Sequence, residues 1–390
     1  MSDYTYSKRI EGVQDSIIPL INKLAREHPG TISLGQGVVY YDPPPSAFDE
    51  IKKQLANKSL NGYGPVEGIP ILTDTIAKKL AAKNNIQIND KNKIFVTAGS
   101  NMAFSSLIPV ITDPGDEIIL LTPYYFNHDM AVKIADAIPI LVPTLYNFHP
   151  DIEKIKDVIT SKTRAIVTIS PNNPTGVVYT RDELTQINQL CAEKGIYHIS
   201  DEAYEDFVFE GEPHFSVASL TNTEEHTICL YSLSKSYGFA GWRVGYMVLP
   251  DKLFSSFKKV QDTILISPPI VSQYAAIGAY ASPPSYIEER IKIIKQSRQV
   301  CLDALNQSNV LDRPAISEGA LYIFAKLKSN QDDLTLASNL VKQHGIATIP
   351  GSAFATNDGA YLRISYGALT SDTVKKGIDN LIIGLSHQIK

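Results

Sequence analysis

Cysteine is scarce in this sequence of 390 residues. The three cysteines, Cys191, Cys229 and Cys301, are widely spaced, and they make neither a disulfide framework nor a zinc-binding pattern. A chain of this length can bury a large hydrophobic core without cross-links of either kind. The sequence therefore predicts no metal site, and the scarcity of cysteine favours a reducing compartment, the cytoplasm.

A long uninterrupted apolar segment is also missing. The longest stretch without charge, residues 263–287, contains Ser, Gln and Gly and is broken by two proline pairs, at 268–269 and 283–284. A membrane-spanning helix needs about 20 predominantly apolar residues in a row, so we do not expect this stretch to span a membrane. The N-terminal sequence MSDYTYSKRIEGVQDS is polar and lacks the apolar core of a signal peptide. Both features favour a protein that acts in the cytoplasm and not at a membrane.

Positive charge is not in excess. Lysine and arginine total 36, while aspartate and glutamate total 41, which gives a net charge of −5. A negative chain is poorly suited to bind nucleic acid or an anionic membrane surface through electrostatic attraction. The apolar share of 44% and the charged share of 20% are those of an ordinary globular protein, so a disordered or fibrous chain is excluded.

What the sequence does contain is an alternation of short β-branched runs with longer amphipathic segments. Strands are predicted at residues 93–97, 117–121, 137–142, 164–170, 196–200, 227–232 and 242–249. Helices are predicted between some of them, at residues 101–111, 151–159 and 181–195. This alternation favours an α/β fold with a mostly parallel, doubly wound sheet that is covered by helices on both faces.

The pattern changes after residue 285. A long charged amphipathic helix is predicted at about 286–306, and short strands follow at 320–327, 345–350 and 361–367. We interpret residues 45–285 as a large domain and residues 286–390, which begin with the connecting helix, as a smaller α+β domain. Residues 1–44 lack the strand–helix rhythm, and we expect them to form an N-terminal arm and part of the small domain.

The residues that follow the predicted strands are the candidates for chemistry, because ligands bind beyond the carboxyl ends of the strands in an open parallel sheet. These segments are 98–101, 123–125, 171–176, 201–204, 233–238 and 241–245. Taken singly, each fits an ordinary turn, a helix cap or a solvated side chain. Together they place at one edge of one sheet a helix N-terminus that can bind phosphate and an aromatic ring that can stack on a flat ligand. Hydrogen-bond donors and charges of both signs lie at the same edge. That inventory matches the needs of one cofactor.

The order and spacing of these segments resemble the motif set of the class I/II, fold-type I aminotransferases, which depend on pyridoxal 5′-phosphate (PLP). The matching segments are Asn-Pro-Thr-Gly at 173–176, Asp201 with Tyr204, Ser-Leu-Ser-Lys at 232–235, Gly-Trp-Arg-Val-Gly at 241–245 and Tyr-Leu-Arg at 361–363. The resemblance covers nearly the whole chain. It implies a homodimer with shared active sites, in which PLP carries the amino group of an L-amino acid to a 2-oxo acid by a ping-pong mechanism.

The resemblance also implies catalytic roles for Lys235, Asp201 and Tyr204. Lys235 would form a Schiff base with the PLP aldehyde and would then act as the base that moves the substrate Cα proton. Asp201 would keep the pyridine nitrogen protonated, and Tyr204 and Asn173 would hydrogen-bond the ring 3-oxygen. The implied cofactor-binding set is Gly99, Ser100, Asn101, Tyr125, Asn173, Asp201, Tyr204, Ser232, Ser234, Lys235, Arg243 and, lent across the dimer interface, Tyr63.

Within this set, Tyr125 is expected to stack on the ring, and the phosphate is expected on the backbone of residues 99–101 beside Arg243 and the two serines. The implied substrate-binding residues are Arg363, Asn173 and Gly37, with Arg363 clamping the α-carboxylate through its planar fork. His128 follows the aromatic pair but has no matching partner, so we expect a pocket-wall or satisfied histidine.

The resemblance leaves open which bond is broken. Residues 38–42 read Val-Val-Tyr-Tyr-Asp where many relatives carry a Pro-Asp-Phe-like run near the substrate side chain. A PLP-dependent lyase or oxidase of the same fold that acts on an amino acid is therefore an open alternative. Tyr40, Tyr41 and Tyr322 hint at an aromatic lining, but the amino acid and the 2-oxo acid are not predicted.

Two other classes of function are disfavoured. A nucleotide-binding protein or dehydrogenase needs G-x-G-x-x-G after a strand or a Walker-type loop, whereas Gly35-Gln36-Gly37 is followed three places on by Tyr40. A transcription factor built on an aminotransferase body needs an N-terminal DNA-binding domain. We expect no room for one before the predicted body begins.

Overall fold

The structure, a computed structural model, describes residues 7–15 and 17–389. Its strands are β1 (Ile32–Ser33), β2 (Asn92–Thr97), β3 (Glu117–Thr122), β4 (Ile138–Pro143), β5 (Thr163–Ile169), β6 (Tyr197–Asp201), β7 (Thr227–Ser232), β8 (Gly245–Pro250), β9 (Tyr322–Lys326), β10 (Ile346–Ala347), β11 (Ile349–Pro350) and β12 (Tyr361–Ser365). Its α-helices are α1 (Lys8–Glu11), α2 (Ile17–Glu27), α3 (Pro45–Gln54), α4 (Pro70–Lys79), α5 (Ser100–Ile111), α6 (Phe126–Ile134), α7 (Ile152–Asp157), α8 (Arg181–Lys194), α9 (Leu233–Ser236), α10 (Asp251–Leu265), α11 (Ile270–Tyr280), α12 (Ser285–Gln307), α13 (Asp333–His344) and α14 (Ser371–Gln388).

Seven strands form one sheet in the order β2-β8-β7-β6-β5-β3-β4. Strands β3 to β7 pair with one another in parallel, and β8 is antiparallel to both of its neighbours, β2 and β7. Strand β2 therefore runs in the same direction as the parallel strands, and its carboxyl end lies at the same edge of the sheet as theirs. The prediction of an α/β fold with a mostly parallel sheet is confirmed.

The last strand of this sheet is shorter than the sequence predicts. The prediction covers residues 242–249, but β8 begins at Gly245, because the preceding residues form a turn in which Arg243 has a positive φ of 54°. The connection from β7 to β8 contains only the short helix α9 and no crossover helix, which is why the two strands pair antiparallel. The turn brings Arg243 to the carboxyl end of β2, where its guanidinium donates a hydrogen bond of 3.0 Å to the Ala98 carbonyl oxygen.

The C-terminal part of the chain forms a separate antiparallel sheet in the order β11-β12-β9. The segment predicted as one strand at 345–350 is divided, since β10 pairs in parallel with β1 and β11 joins β12. The β1–β10 pairing, in which Ile32 lies opposite Ile346, ties N-terminal residues to the C-terminal unit. This pairing supports our proposal that residues 1–44 contribute to a small domain with residues 286–390.

The strands of the large sheet are buried because helices cover both of its faces. Ile119, Ile166, Ile199 and Leu230, one from each of four neighbouring strands, are all fully buried. Burial of one such side chain contributes about 1.5–3 kcal/mol, so the sheet is a firm platform for the residues at its strand ends. Within residues 7–15 and 17–389, no helix combines the length and the apolar character that crossing a bilayer requires.

Candidate active site

A cavity lies at the carboxyl edge of the large sheet, and we refer to it as the central cavity. Its lining consists of Ser100, Asn101, Tyr125, Ile169, Asn173, Asp201, Ala203, Tyr204, Ser232, Ser234, Lys235 and Arg243. Only Ile169 and Ala203 among these are absent from the predicted site residues. The parallel direction of five strands explains the convergence, because their carboxyl ends deliver side chains from distant parts of the sequence to one place.

Lys235 is held at both its main chain and its amine. It lies in α9, directly after β7, and its Nζ donates a hydrogen bond to the Gly37 carbonyl oxygen. The Tyr41 hydroxyl donates to the carbonyl oxygens of Lys235 and Ser236, at 3.0 and 3.2 Å. Burial, reinforced by the positive charges of Arg363 and Arg243, lowers the pKa of Lys235 to about 8 against the opposing effect of Asp201. A lysine of this kind is a stronger candidate nucleophile and base than an exposed one.

Asp201 ends β6 with its carboxylate buried against a histidine. Its Oδ2 lies 3.4 Å from His128 Nε2, and its Oδ1 accepts a hydrogen bond from the Ala203 backbone N–H. His128 is 1% exposed and stacks on Phe104 with a centroid distance of 3.9 Å. Within residues 7–15 and 17–389, neither ring nitrogen of His128 has a hydrogen-bond partner. Sequence reasoning missed this pair, because nothing in the local sequence links His128 to a strand end 73 positions away.

The turn between β2 and α5 has no side chain at Gly99, where its backbone lies next to the guanidinium group of Arg243. Gly99 has a φ of +86°, and a Cβ built on it would lie 2.5 Å from Nη2 of Arg243. The guanidinium is fixed by hydrogen bonds to the carbonyl oxygens of Ala98 and Ala240. Glycine is therefore required at position 99 for both its conformation and its lack of a side chain. An oxyanion can meet the N–H groups at the start of α5 and the arginine charge together.

Two predicted serines border this turn. Ser232 ends β7, and its Oγ accepts a hydrogen bond of 3.1 Å from the Ser234 backbone N–H, which caps α9. Both residues line the central cavity with Ser100 and Asn101. Both serines share this lining with Arg243, so the structure brings the predicted phosphate-binding residues together except for Tyr63.

Arg363, in the middle strand of the small sheet, contacts the turn that follows β5 of the large sheet. It is 1% exposed, and its two terminal nitrogens donate to Asn173 Oδ1 at 3.0 Å and to the Gly35 carbonyl oxygen at 2.8 Å. Its Nε has no hydrogen-bond partner in the part of the chain that the structure describes. A buried guanidinium without a carboxylate partner is suited to bind the carboxylate of a ligand.

Gly37 lies where the structure leaves no room for a side chain. A Cβ at this position would collide with the hydroxyl oxygen of Tyr322. The carbonyl oxygen of Gly37 accepts the hydrogen bond from Lys235, so the predicted substrate-subsite glycine touches the predicted nucleophile directly. The chain from Gly35 to Gly37 therefore lies between Arg363 and Lys235.

Tyrosine rings form the remaining wall. Tyr125 lines the central cavity, and its hydroxyl accepts a hydrogen bond of 2.8 Å from Asn127. Tyr204 also lines the cavity, and its hydroxyl lies 2.6 Å from that of Tyr322. Burial raises the pKa of all three tyrosines, so the phenols stay neutral at ordinary pH. The Tyr204–Tyr322 contact could not be read from the sequence, since the two residues are 118 positions apart.

Of the predicted site residues outside the cavity lining, Gly37, Gly99 and Arg363 each contact a lining residue, whereas Tyr63 lies on the surface. Its side chain is 84% exposed, and the apolar side chains of Leu55, Ile71 and Ile264 are exposed as well. Helices α3 and α4 both pack on α11, and the Gly64 N–H donates to Ser267 Oγ at 3.3 Å, which holds these segments together. We refer to Leu55, Tyr63, Ile71 and Ile264 as the apolar patch.

Comparison with known proteins gives a consistent result. The sequence model of the family described as aminotransferase class I and II matches residues 29–381. Aromatic aminotransferase ISS1 of Arabidopsis thaliana is 32% identical over 96% of this chain and 97% of that protein. Aspartate aminotransferase of Pyrococcus abyssi (strain GE5 / Orsay) is 31% identical over 96% of this chain and 97% of that protein. The solved structure of an aromatic aminotransferase from Pyrococcus horikoshii OT3 superposes with a TM-score of 0.86 at 31% identity, and covers 94% of this chain and 99% of its own.

Proposed function

Because the chain belongs to the class I and II aminotransferases, we propose that its central cavity holds PLP and that Lys235 bonds to the PLP aldehyde. The chain is an aminotransferase. The proposed reaction moves the amino group of an L-amino acid to a 2-oxo acid in a ping-pong cycle. The observation that carries the proposal is the convergence of a lysine with a lowered pKa, a buried carboxylate and the Arg243 guanidinium around one cavity, with Arg363 bonded to the lining residue Asn173.

Three features of the cavity fit PLP. The carboxylate of Asp201, beside a histidine with no hydrogen bond of its own, suits the protonated nitrogen of a pyridine ring. The bare backbone at Gly99 beside Arg243 suits a phosphate, since any side chain there would fill the space. The Arg363 Nε, buried and without a partner among the described residues, suits a substrate carboxylate.

The hydrogen bonds within the chain indicate which polar side-chain groups remain available to bind the cofactor. Asn173 Oδ1 accepts from Arg363, so the Asn173 amide N–H₂ is the group left to donate to the ring 3-oxygen. Tyr204 would donate to the same oxygen through its hydroxyl, and Tyr125 would stack on the ring. Asp201 would hold the proton on the pyridine nitrogen, while Arg243, Ser232 and Ser234 would bind the phosphate together with the N–H groups of residues 99–101.

When bound, PLP supplies an electron sink that makes the Cα proton of an attached amino acid acidic. Arg363 would fix the substrate through its α-carboxylate and so aim the Cα–H bond at Lys235. The Lys235 amine would take that proton on Nζ, which requires its neutral form. Its pKa of about 8 leaves a usable neutral fraction near pH 7, whereas an ordinary lysine would be almost fully charged there.

We propose that the enzyme is a homodimer and that Tyr63 of one subunit reaches the phosphate subsite of the other. In support, Tyr63 is 84% exposed, and the apolar side chains of Leu55, Ile71 and Ile264 are exposed as well. Large exposed apolar side chains that share a face are typical of an interface, and we propose that these four residues do so. Most soluble oligomers of one chain are twofold symmetric, so two active sites would be completed at once.

We also propose a cytoplasmic location for the enzyme. Cys191, Cys229 and Cys301 are buried and unpaired, as is usual where thiols are kept reduced. Fractionation of cells that make the protein, with the transaminase activity recovered from the cytosolic fraction, tests this proposal.

The experiment that tests the function separates the two halves of the cycle. Protein loaded with PLP is mixed with one amino acid at a time and no 2-oxo acid, with aspartate and the aromatic amino acids included because relatives are named for them. We expect the absorbance of the aldehyde form to be replaced by that of the amine form of the cofactor, with one 2-oxo acid released per site. Addition of a 2-oxo acid should restore the original spectrum.

The same experiment decides between transamination and the lyase or oxidase alternative. Ammonia that accumulates over many turnovers without any 2-oxo acid acceptor would contradict the proposal. Absence of the amine form with every amino acid tested would contradict it as well.

A further inference from the structure

Tyr322 forms a hydrogen bond with Tyr204 just outside the central cavity. Their hydroxyl oxygens lie 2.6 Å apart, and each hydroxyl is the sole hydrogen-bond partner of the other within the residues that the structure describes. Tyr322 is 1% exposed, and its ring packs edge-to-face on that of Tyr204 at a centroid distance of 5.6 Å. Tyr204 lines the central cavity, whereas Tyr322 does not.

The direction of this hydrogen bond follows from counting protons. Burial raises the pKa of both phenols, so each carries one proton at neutral pH, and the bond uses only one of the two. If Tyr204 donated, the buried Tyr322 proton would have no acceptor among the described residues, and an unmet buried donor is destabilising. If Tyr322 donates, its proton is used and the Tyr204 proton is free to face the cavity. The second arrangement is therefore the favoured one.

We propose that Tyr322 is a positioning residue, whose hydroxyl donates to the Tyr204 oxygen and so directs the single proton of Tyr204 toward the ring 3-oxygen of bound PLP. The inference rests on the proposed function, since it needs PLP in the central cavity. Donation to the Tyr204 oxygen also makes Tyr204 a stronger donor, because hydrogen bonds in a chain polarise one another. Tyr322 thereby stabilises negative charge on the ring oxygen without touching the cofactor.

Other groups lie close to the Tyr204–Tyr322 pair, and a Tyr322→Phe substitution does not alter their side chains. Arg363 lies 4.5 Å from the Tyr322 ring, and Lys235 Nζ lies 5.7 Å from the Tyr204 ring. Tyr125 interacts electrostatically with both phenols, and Asp201 acts on Tyr125. The Gly37 backbone packs against the Tyr322 hydroxyl. Because a Tyr322→Phe substitution leaves all of these in place, a change in the cofactor reports on the hydroxyl alone.

The test is an absorbance titration of the PLP-loaded protein against pH. Negative charge on the ring 3-oxygen helps to retain the proton that this oxygen shares with the Lys235 nitrogen. A hydrogen bond donated by Tyr204 to the ring oxygen reduces that charge, so the shared proton is lost at a lower pH. Tyr322→Phe should therefore raise the pKa of the spectral change by about 0.4–1 unit, as expected for the loss of one buried hydrogen bond. The matched control is Tyr366→Phe, because Tyr366 is equally buried but bonds Ser317 and Gly319 away from the cavity. It should leave the spectral pKa of the parent unchanged.

A double-mutant cycle shows whether Tyr322 acts through Tyr204. Tyr204→Phe alone should raise the spectral pKa, and adding Tyr322→Phe to it should produce no further rise. The inference is overturned if Tyr322→Phe titrates like the parent, or if its effect persists in the Tyr204→Phe background. A parent protein that shows no titrating PLP band would instead contradict the proposed function.

Discussion

The side-chain oxygen of Asn173 accepts a hydrogen bond of 3.0 Å from Arg363, and this contact joins the turn after β5 to the middle strand of the small sheet. A second bond, of 2.8 Å to the Gly35 carbonyl oxygen, fixes the plane of the guanidinium group. The proposed substrate subsite and the proposed cofactor site therefore share one side chain. We expect a change at Arg363 to be felt in the cofactor spectrum as well as in substrate binding.

Replacement of Arg363 by lysine keeps the charge but removes the planar fork. We expect kcat/KM for the amino acid to fall by about 10–100-fold, equivalent to about 1.4–2.8 kcal/mol, mainly through a higher KM. Single-turnover kinetics over a range of amino acid concentrations measure both parameters. Arg313→Lys is the control, since Arg313 stacks on Tyr146 at 4.1 Å away from the central cavity. Equal kcat/KM in Arg363→Lys and the parent would refute the carboxylate role.

Replacement of Gly99 by alanine should weaken PLP binding about tenfold. The new Cβ would displace Arg243 and would also be strained at a φ of +86°. Gly115→Ala separates the two effects, because Gly115 has a φ of +84° but open space around its Cβ. Both variants should lose stability in denaturant unfolding, by about 1–3 kcal/mol for the strained backbone, but only Gly99→Ala should lose PLP affinity in equilibrium titrations. Parallel losses of affinity in both variants would contradict the phosphate subsite.

The pKa of Lys235 predicts how fast PLP attaches to the apo-protein at different pH values. Only the neutral amine attacks an aldehyde, and burial with the two guanidinium groups lowers the Lys235 pKa to about 8. The attachment rate should rise with pH up to about 8 and then level off, as stopped-flow absorbance can show. A rate that keeps rising toward the 10.5 of an ordinary lysine would contradict the lowered pKa.

The same shift predicts the pH dependence of apo-protein stability. Between pH 8 and 10.5 the unfolded chain holds a proton on Lys235 that the folded chain has released, so stability should increase with pH across this window. Lys235→Met should lack that increase. Denaturant unfolding of both proteins at several pH values measures the difference.

The apolar patch predicts the effect of a charge on assembly. Leu55→Lys replaces a side chain that is 68% exposed with one that carries an ammonium group, and it should convert the proposed dimer to a monomer in light scattering. Leu145→Lys is the matched control, since Leu145 is 47% exposed but lies outside the patch. A dimer that survives Leu55→Lys and dissociates with Leu145→Lys would place the interface elsewhere.

The large sheet and most of its strand-end residues could be predicted from the sequence. Strand–helix alternation fixes the fold class, and the rule that ligands bind at the carboxyl ends then identifies Asp201, Lys235 and Asn173 as candidates. The sequence pattern predicts the start of β8 three residues too early, because the positive φ of Arg243 leaves no mark in that pattern.

Contacts between distant segments could not be predicted. His128 reaches Asp201, and Tyr322 reaches Tyr204, through the packing of elements that no local pattern relates. The proposed role of Tyr63 requires a second copy of the chain, and the single chain leaves its side chain exposed. Side-chain periodicity predicts which face of an element is buried, but not which residue of another element lies opposite.

The most direct test of the account is chemical trapping of Lys235. The PLP-loaded protein is reduced with borohydride, which makes the bond between the cofactor and an amine permanent, and the modified peptide is then mapped by mass spectrometry. The account predicts the pyridoxyl group on Lys235, within α9, and its loss from that peptide in Lys235→Ala. An unmodified Lys235 in protein that carries the cofactor elsewhere, or a Lys235→Ala variant that turns over as fast as the parent, would contradict it.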